Sequence, residues 1–271
     1  MDPAEEFRLE VSRNIEGLIA DRELQEFSLQ WLQKTLKHRY SYNFSWLSRP
    51  IIQYPQDIVA LQELLWQVDP DLVVETGIAH GGSLVLSASI LALLEYRDAV
   101  REGRALDPQR PKRRVVGVDV DIRQHNRAAI EAHPMASRIE MIVGSSTAAD
   151  VVSAIAQRAR SARRVLVLLD SNHTHQHVLD ELEAYAPMTS VDSYCVVYDS
   201  IIDDLPDDSF RDRPWGRGNN PKTAIVEYLR RLEIEGRAAL DGRPLALEID
   251  RKLDKRLLIT VAPDGYLRRR A

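Results

Sequence analysis

The sequence predicts an α/β fold on a doubly wound, mostly parallel sheet, and three features predict it. Short runs that are apolar throughout recur from Leu72 onward, amphipathic stretches separate them, and four of the runs close on an acid: Glu75, Asp119, Asp170 and Asp199. Strands without polar alternation are those buried on both faces of a parallel sheet. Their alternation with helices marks a sheet covered on both sides.

The elements follow in order. Leu9, Ile15, Leu18 and Ile19, then Leu24, Phe27, Trp31, Leu32 and Leu36, form apolar stripes at helical spacing, so residues 5–40 read as one or two helices that pack on a core or on another subunit. The aromatic stretch 41–57, broken by Pro50 and Pro55, reads as an ordered loop across a surface or cleft. A helix over 56–68 stops before Asp69-Pro70. The apolar runs are 72–75, 115–119, 138–144, 165–170, 193–199 and, near the end, 257–261, with helices expected at 83–96, 123–132, 147–160 and 175–185. Residues 97–114 read as a solvated basic connection, 200–222 as a long lid-like loop, and Arg268–Arg270 as a frayed basic tail. The division expected is a helical extension over 1–56 and a catalytic domain over 57–271.

Composition narrows the function. Lys and Arg total 36 against 41 for Asp and Glu, a net charge of −5 over 271 residues, which disfavours a general nucleic-acid binder. No apolar run is long enough for a membrane span. The acidic N-terminus is no secretion signal, and Cys195, the lone cysteine, suits a reducing cytosol. A cytoplasmic enzyme is the expectation. Cys195 falls in an apolar run and reads as inert.

The string 73–90 is strand, glycine turn, then helix. Gly77, Gly81 and Gly82 permit a sharp turn, the N–H groups that follow can hold polar ligand groups, and Ser83 can cap the helix or touch a ligand. The dinucleotide fingerprint G-x-G-x-x-G is absent, since Ala79 stands where the second glycine belongs, and no G-K-[ST] follows for a P-loop. Asp119, closing the second run, sits where an acid accepts hydrogen bonds from ribose hydroxyls, so adenosine-containing cofactors lead. Ligands in such sheets bind outside the carboxyl ends of the strands, where the four acids converge.

Taken together, VVETGIAHGGS (73–83), GVDVDIRQHN (117–126), GSS (144–146), LLDSNHTHQHVLDELE (168–183), YCVVYDS (194–200) and PWGRGNNPKTA (214–224) resemble the cephalosporin hydroxylase family. This is a group of S-adenosylmethionine-dependent O-methyltransferases associated with cephamycin biosynthesis and with rhamnosyl O-methyltransferases. The resemblance implies a Rossmann-like class I methyltransferase fold and assigns roles. Glu75, Gly77, Gly81 and Ser83 would lie beside the methionine part of the cofactor, Asp119 at the ribose, and Ser145 and Ser146 at the adenine. Asp170 and Asp199 match magnesium ligands, with Asp170 also beside the cofactor. Related sugar enzymes carry an acidic pair at the fifth strand where this chain has Asp199-Ser200, so Ser200, Asp203 or water stand as the second ligand. His173 matches a general base. A homo-oligomer contacting through its N-terminal helices is also implied.

The chemistry suits these residue types. Hard carboxylate oxygens suit Mg²⁺, and an imidazole titrates close to neutral pH and can take a hydroxyl proton. His173 and His177 are four apart, as zinc ligands on one helix face would be, but no H-E-x-x-H accompanies them. His175 and His177 read as helix-surface residues. Trp215, followed by Gly216 and Gly218, which permit movement, reads as an apolar wall that closes over the acceptor, and Asn220 as a cap for the next helix. Tyr54 and Trp46 read as core, with the acceptor pocket as the alternative. The acceptor expected is a small molecule, a sugar moiety or a secondary metabolite. The rivals are a nicotinamide-dependent oxidoreductase and a cofactor-binding scaffold without catalysis.

Overall fold

The computed structural model describes residues 2–271. Its strands are β1 (Phe44–Trp46), β2 (Arg49–Ile51), β3 (Leu72–Thr76), β4 (Arg114–Asp119), β5 (Ile139–Val143), β6 (Val165–Leu169), β7 (Tyr194–Val197), β8 (Ala246–Ile249) and β9 (Tyr266–Arg270). Its α-helices are α1 (Pro3–Ala20), α2 (Arg22–Leu36), α3 (Pro55–Val68), α4 (Gly82–Glu102), α5 (Gln124–Glu131), α6 (Ala149–Ser161), α7 (His175–Tyr185), α8 (Pro221–Glu235) and α9 (Arg251–Leu257). Seven strands form one sheet in the order β5-β4-β3-β6-β7-β9-β8.

Parallel pairing runs outward from β3 on both sides, to β4 and β5 and to β6 and β7. The chain order therefore reverses at β3, and the crevice beyond the carboxyl ends of β3 and β6 is the switch point where such sheets bind ligands. The inner strands are buried throughout: every residue of β3, β6 and β7 is. One face packs Val74, Val116 and Val167 against α6, α7 and α8, and the other packs Val73, Val115 and Leu166 against α3 and α4. Asn220 caps α8, its side chain accepting from Thr223 N while the Thr223 hydroxyl accepts from the Asn220 N–H. Such a cap is worth about 1 kcal/mol.

The N-terminal stripes form two helices. Asp21 ends α1 and caps α2, its side chain accepting from Leu24 N at 2.9 Å. Leu32 of α2 packs with Tyr54, Ile201 and Leu205, which draws the extension over the carboxyl rim of the sheet.

Three sequence expectations are corrected. The run 257–261 is not a strand: Leu257 ends α9, and the residues after it form an irregular link into β9. The basic tail is the strand instead. β9 pairs antiparallel with both β7 and β8, and Arg269, 2% exposed, is held by Thr189 O and Asp241. Arginine stems carry enough apolar length to serve as sheet surface when their heads find partners, and composition does not disclose those partners. Residues 97–114 are not simply solvated: α4 runs on to Glu102, and Arg97 and Arg113 clamp Asp69 and Asp98.

Candidate active site

The tip of β3 carries the first functional side chain. Glu75 is 1% exposed; the Ser83 hydroxyl donates to its Oε1, while its Oε2 is buried with no partner among the described residues. Burial pushes this carboxyl up to about 8, against the lowering effect of Ser83. Gly77 follows with φ +86°, and a Cβ there would collide with the backbone carbonyl of Asp170. This glycine therefore lets the tips of β3 and β6 close together. Ala79 is held at φ +46°, a left-handed conformation that costs an L-residue about 1–2 kcal/mol. Asp119 fixes it: Oδ2 accepts from Ile78 N at 2.8 Å and Ala79 N at 3.3 Å, while Asn126 Nδ2 donates to Ala79 O at 2.9 Å.

The tips of β6 and β7 supply the second group. One ligand atom each of Asp170, His173 and Asp199 lies within 4.8 Å of the others, a set able to hold a metal ion. His173 Nε2 is 3.0 Å from Asp199 Oδ2. Asp199 stands at φ +56° at the head of the short 3₁₀ turn Ser200–Asp204. Gln53 Nε2 donates to Asp170 Oδ2 at 3.3 Å. Burial, then the charges of Asp199 and Glu75, push the Asp170 carboxyl well above its ordinary value. The Trp215 indole meets the His173 ring edge-on, centroids 4.8 Å apart.

Two cavities meet at this cluster. One, of about 320 Å³, lies against the glycine loop and is lined by Gly77, Ile78, His80 and Ser83. The other, of about 400 Å³, lies under α2 and the aromatic loop, lined by Leu36, Tyr40, Tyr54 and Phe210. Asp170, His173, Asp199, Gln53 and Trp215 line both. The residues fit the implied groups. Oε2 of Glu75 is a buried acceptor short of a donor, and the partly buried carboxylates of Asp170 and Asp199 suit a hard divalent cation.

Several expected site residues stand differently. Ser200 is not at the metal cluster: it is fully buried, and its hydroxyl donates to Pro263 O at 2.6 Å. The third member of the cluster is His173. Asp203 accepts from Gly218 N and Asn220 Nδ2, so it anchors the 200–222 loop. Glu75, Gly81, Asp119, Ser145 and Ser146 line neither cavity. Ser145 shares a hydrogen bond with Thr147 at 3.0 Å, and Ser146 with His177 Nε2 at 3.1 Å. His175 and His177 are half-buried and bonded rather than free on the helix surface. His175 bonds to Thr223 and Glu227 of α8, and His177 to Ser146 and Ser171, with Glu181 raising its pKa. Tyr54 combines both readings, being 2% exposed yet lining the second cavity, whereas Trp46 donates to Ser89 on α4. Cys195 is fully buried, and burial pushes its thiol up. Sequence reasoning missed Gln53; its one signal was its place in the aromatic loop.

The family model for rhamnosyl O-methyltransferase/CmcI matches residues 38–270. A rhamnosyl O-methyltransferase of Mycobacterium tuberculosis (strain ATCC 25618 / H37Rv) is 26% identical over 217 residues, 78% of this chain and 72% of the relative. That of Mycobacterium leprae (strain TN) is 26% identical over 231 residues, 83% of each chain. Among solved structures, CmcI with Mg and SAM superposes with a TM-score of 0.51 at 16% identity, covering 85% of this chain and 78% of that one. That likeness bears on the fold, which is that of a class I methyltransferase. The chain belongs to the rhamnosyl O-methyltransferase/CmcI family of S-adenosylmethionine-dependent O-methyltransferases.

Proposed function

We propose that this chain moves the methyl group of S-adenosylmethionine to a hydroxyl of a small molecule, a sugar moiety or a secondary metabolite. The observation that carries the reading is the junction of two cavities at Asp170, His173 and Asp199. Such a junction suits a donor on one side, an acceptor on the other, and a transfer between them. The curated relatives are rhamnosyl O-methyltransferases, which supports a sugar hydroxyl as acceptor.

In this reading Asp170 and Asp199 hold Mg²⁺, which is bound by CmcI in the structure named above. When bound, the ion supplies Lewis acidity that lowers the pKa of an acceptor hydroxyl, and S-adenosylmethionine supplies the electrophilic methyl. Glu75 pairs with the donor's ammonium through Oε2. Gly77, Gly81 and Ser83 shape the turn around the methionine end, and Asp119 holds that turn while facing the ribose. His173, oriented by Asp199, takes the hydroxyl proton, in the base-and-orienter arrangement common to activated nucleophiles. Mg²⁺ prefers oxygen to imidazole nitrogen, which favours His173 as base rather than ligand. Trp215 lies over His173 and keeps water from the junction.

Residues 1–56 form the extension that roofs the acceptor cavity, and 57–271 the transfer domain. The chain acts as a cytoplasmic homo-oligomer. In support, α1 buries none of its residues and leaves Phe7 63% and Leu9 49% exposed, a face suited to a second copy. No helix among the described residues is long and apolar enough to cross a membrane.

Titration with S-adenosylhomocysteine, and separately with NADH, tests the reading. Binding of the thioether alone is expected. Tight NADH binding without it would transfer the case to the oxidoreductase.

A further inference from the structure

The opposite rim of the sheet carries a second, unrelated feature. Between the end of α6, the start of β6 and the 240–243 turn lies a cavity of about 440 Å³. β6 runs from Val165 at this rim to Leu169, just before Asp170 at the transfer site, so the two places are separated by about 16 Å of extended chain.

Five arginines line this cavity: Arg160, Arg163, Arg164, Arg243 and Arg269. Asp241 is its one acidic lining residue. Arg269 is 2% exposed; it donates to Thr189 O at 2.7 Å and pairs with Asp241 at 2.8 Å, while its Nε–H is buried without a partner. Arg163 pairs with Asp71. Arg164 donates to Val68 O at 2.6 Å, outside the cavity lining, and the side chains of Arg160 and Arg243 have no partner among the described residues. Asp71 and Asp241 balance two of the five, so this rim keeps a positive excess in a chain whose net charge is −5.

We propose that this cavity binds a phosphate-bearing small molecule. Guanidinium groups match the oxygen geometry of phosphate in paired hydrogen bonds. Arg160 and Arg243 carry the unengaged guanidinium groups at this concave site, and a pair of them accommodates a dianion better than a single carboxylate. The volume exceeds what inorganic phosphate fills and lies in the range of small-metabolite pockets. A buried guanidinium with an idle donor is also a group left short of an acceptor. The site does not depend on the transfer chemistry, because none of these residues lines the donor or acceptor cavities.

Calorimetric titration of the full chain, saturated with S-adenosylhomocysteine, tests the proposal. Pyrophosphate, ADP and adenosine are the probes. Pyrophosphate and ADP are expected to bind and adenosine not to. Tighter ADP than pyrophosphate marks a nucleotide as the source, and equal affinity marks free phosphate. Arg160→Glu/Arg243→Glu, at two exposed positions, is expected to weaken both by about tenfold or more, with S-adenosylhomocysteine affinity unchanged as proof of folding. Arg39→Glu/Arg213→Glu, at the acceptor cavity, is expected to leave them unchanged. Absence of binding, an undiminished affinity in the first double variant, or a loss in the second overturns the proposal.

Discussion

Glu75 is expected to make donor binding a proton-releasing event. In the ligand-free site its carboxyl is pushed up to about 8 from an ordinary 4.5, because burial penalises the charge and only the Ser83 hydroxyl offsets it. At pH 7 the group is therefore about nine-tenths protonated. An ammonium placed against the unpartnered Oε2 favours the carboxylate and returns the pKa toward its ordinary range. The sign follows: the bound state holds fewer protons, so affinity rises with pH until the free-state pKa is reached. Binding of S-adenosylhomocysteine at pH 7 should release about 0.9 proton and tighten about ninefold from pH 6 to pH 7. Calorimetry at pH 7 in buffers of different ionisation enthalpy reads the release directly, without metal. Glu75→Gln keeps the shape and removes the titration, so its release should vanish and its affinity should lose the pH slope. Release of no proton by the wild type, or the same release by Glu75→Gln, refutes the placement of the ammonium.

Further expectations follow from the same geometry. Chelation should abolish turnover and Mg²⁺ restore it, and Asp170→Asn or Asp199→Asn should lower kcat by about 10²-fold or more; full activity in excess EDTA removes both from the metal role. His173→Ala should lower kcat by about 10²–10⁴-fold, with cofactor affinity measured by calorimetry unchanged. Asp57, 1% exposed, has its carboxyl raised by burial to about 6, despite accepting from Thr260, Val261 and Tyr266. Its folded form therefore favours the proton, so this residue's contribution to stability is fullest below pH 4 and declines as pH rises toward 6, by about 3 kcal/mol in all. The difference in unfolding free energy between wild type and Asp57→Asn across that window measures it. Gly77→Ala should lower Tm and weaken metal binding together, since its Cβ drives against the Asp170 carbonyl; a variant that keeps both would show that the strand tips are not locked there.

The parallel core was legible because buried strands leave a simple trace. β3, β4, β6 and β7 stand within two residues of the apolar runs, and the acids that close those runs do gather at one rim. The terminal strands left no such trace. Tyr266–Arg270 reads as a charged tail until Thr189 and Asp241 are seen to take the head of Arg269, while the more apolar 257–261 is left as a link. Periodicity reports burial of whole side chains. It is blind to a strand whose residues bury their stems and pair their tips.

The site divides in the same way. Local sequence alone determined that a glycine turn follows Glu75, that Asp170 and Asp199 close apolar strands, and that Asn220 opens α8, because each depends on backbone conformation and neighbouring residues. Tertiary structure decided the rest. It turned Ser200 away to Pro263 and brought His173 to Asp199. It placed Gln53 on Asp170 from 117 residues away, and left one oxygen of Glu75 without a partner. Which hydroxyl or carboxylate remains free for a ligand depends on what every other chain segment has already bonded. That competition is settled only when distant donors and acceptors are packed together.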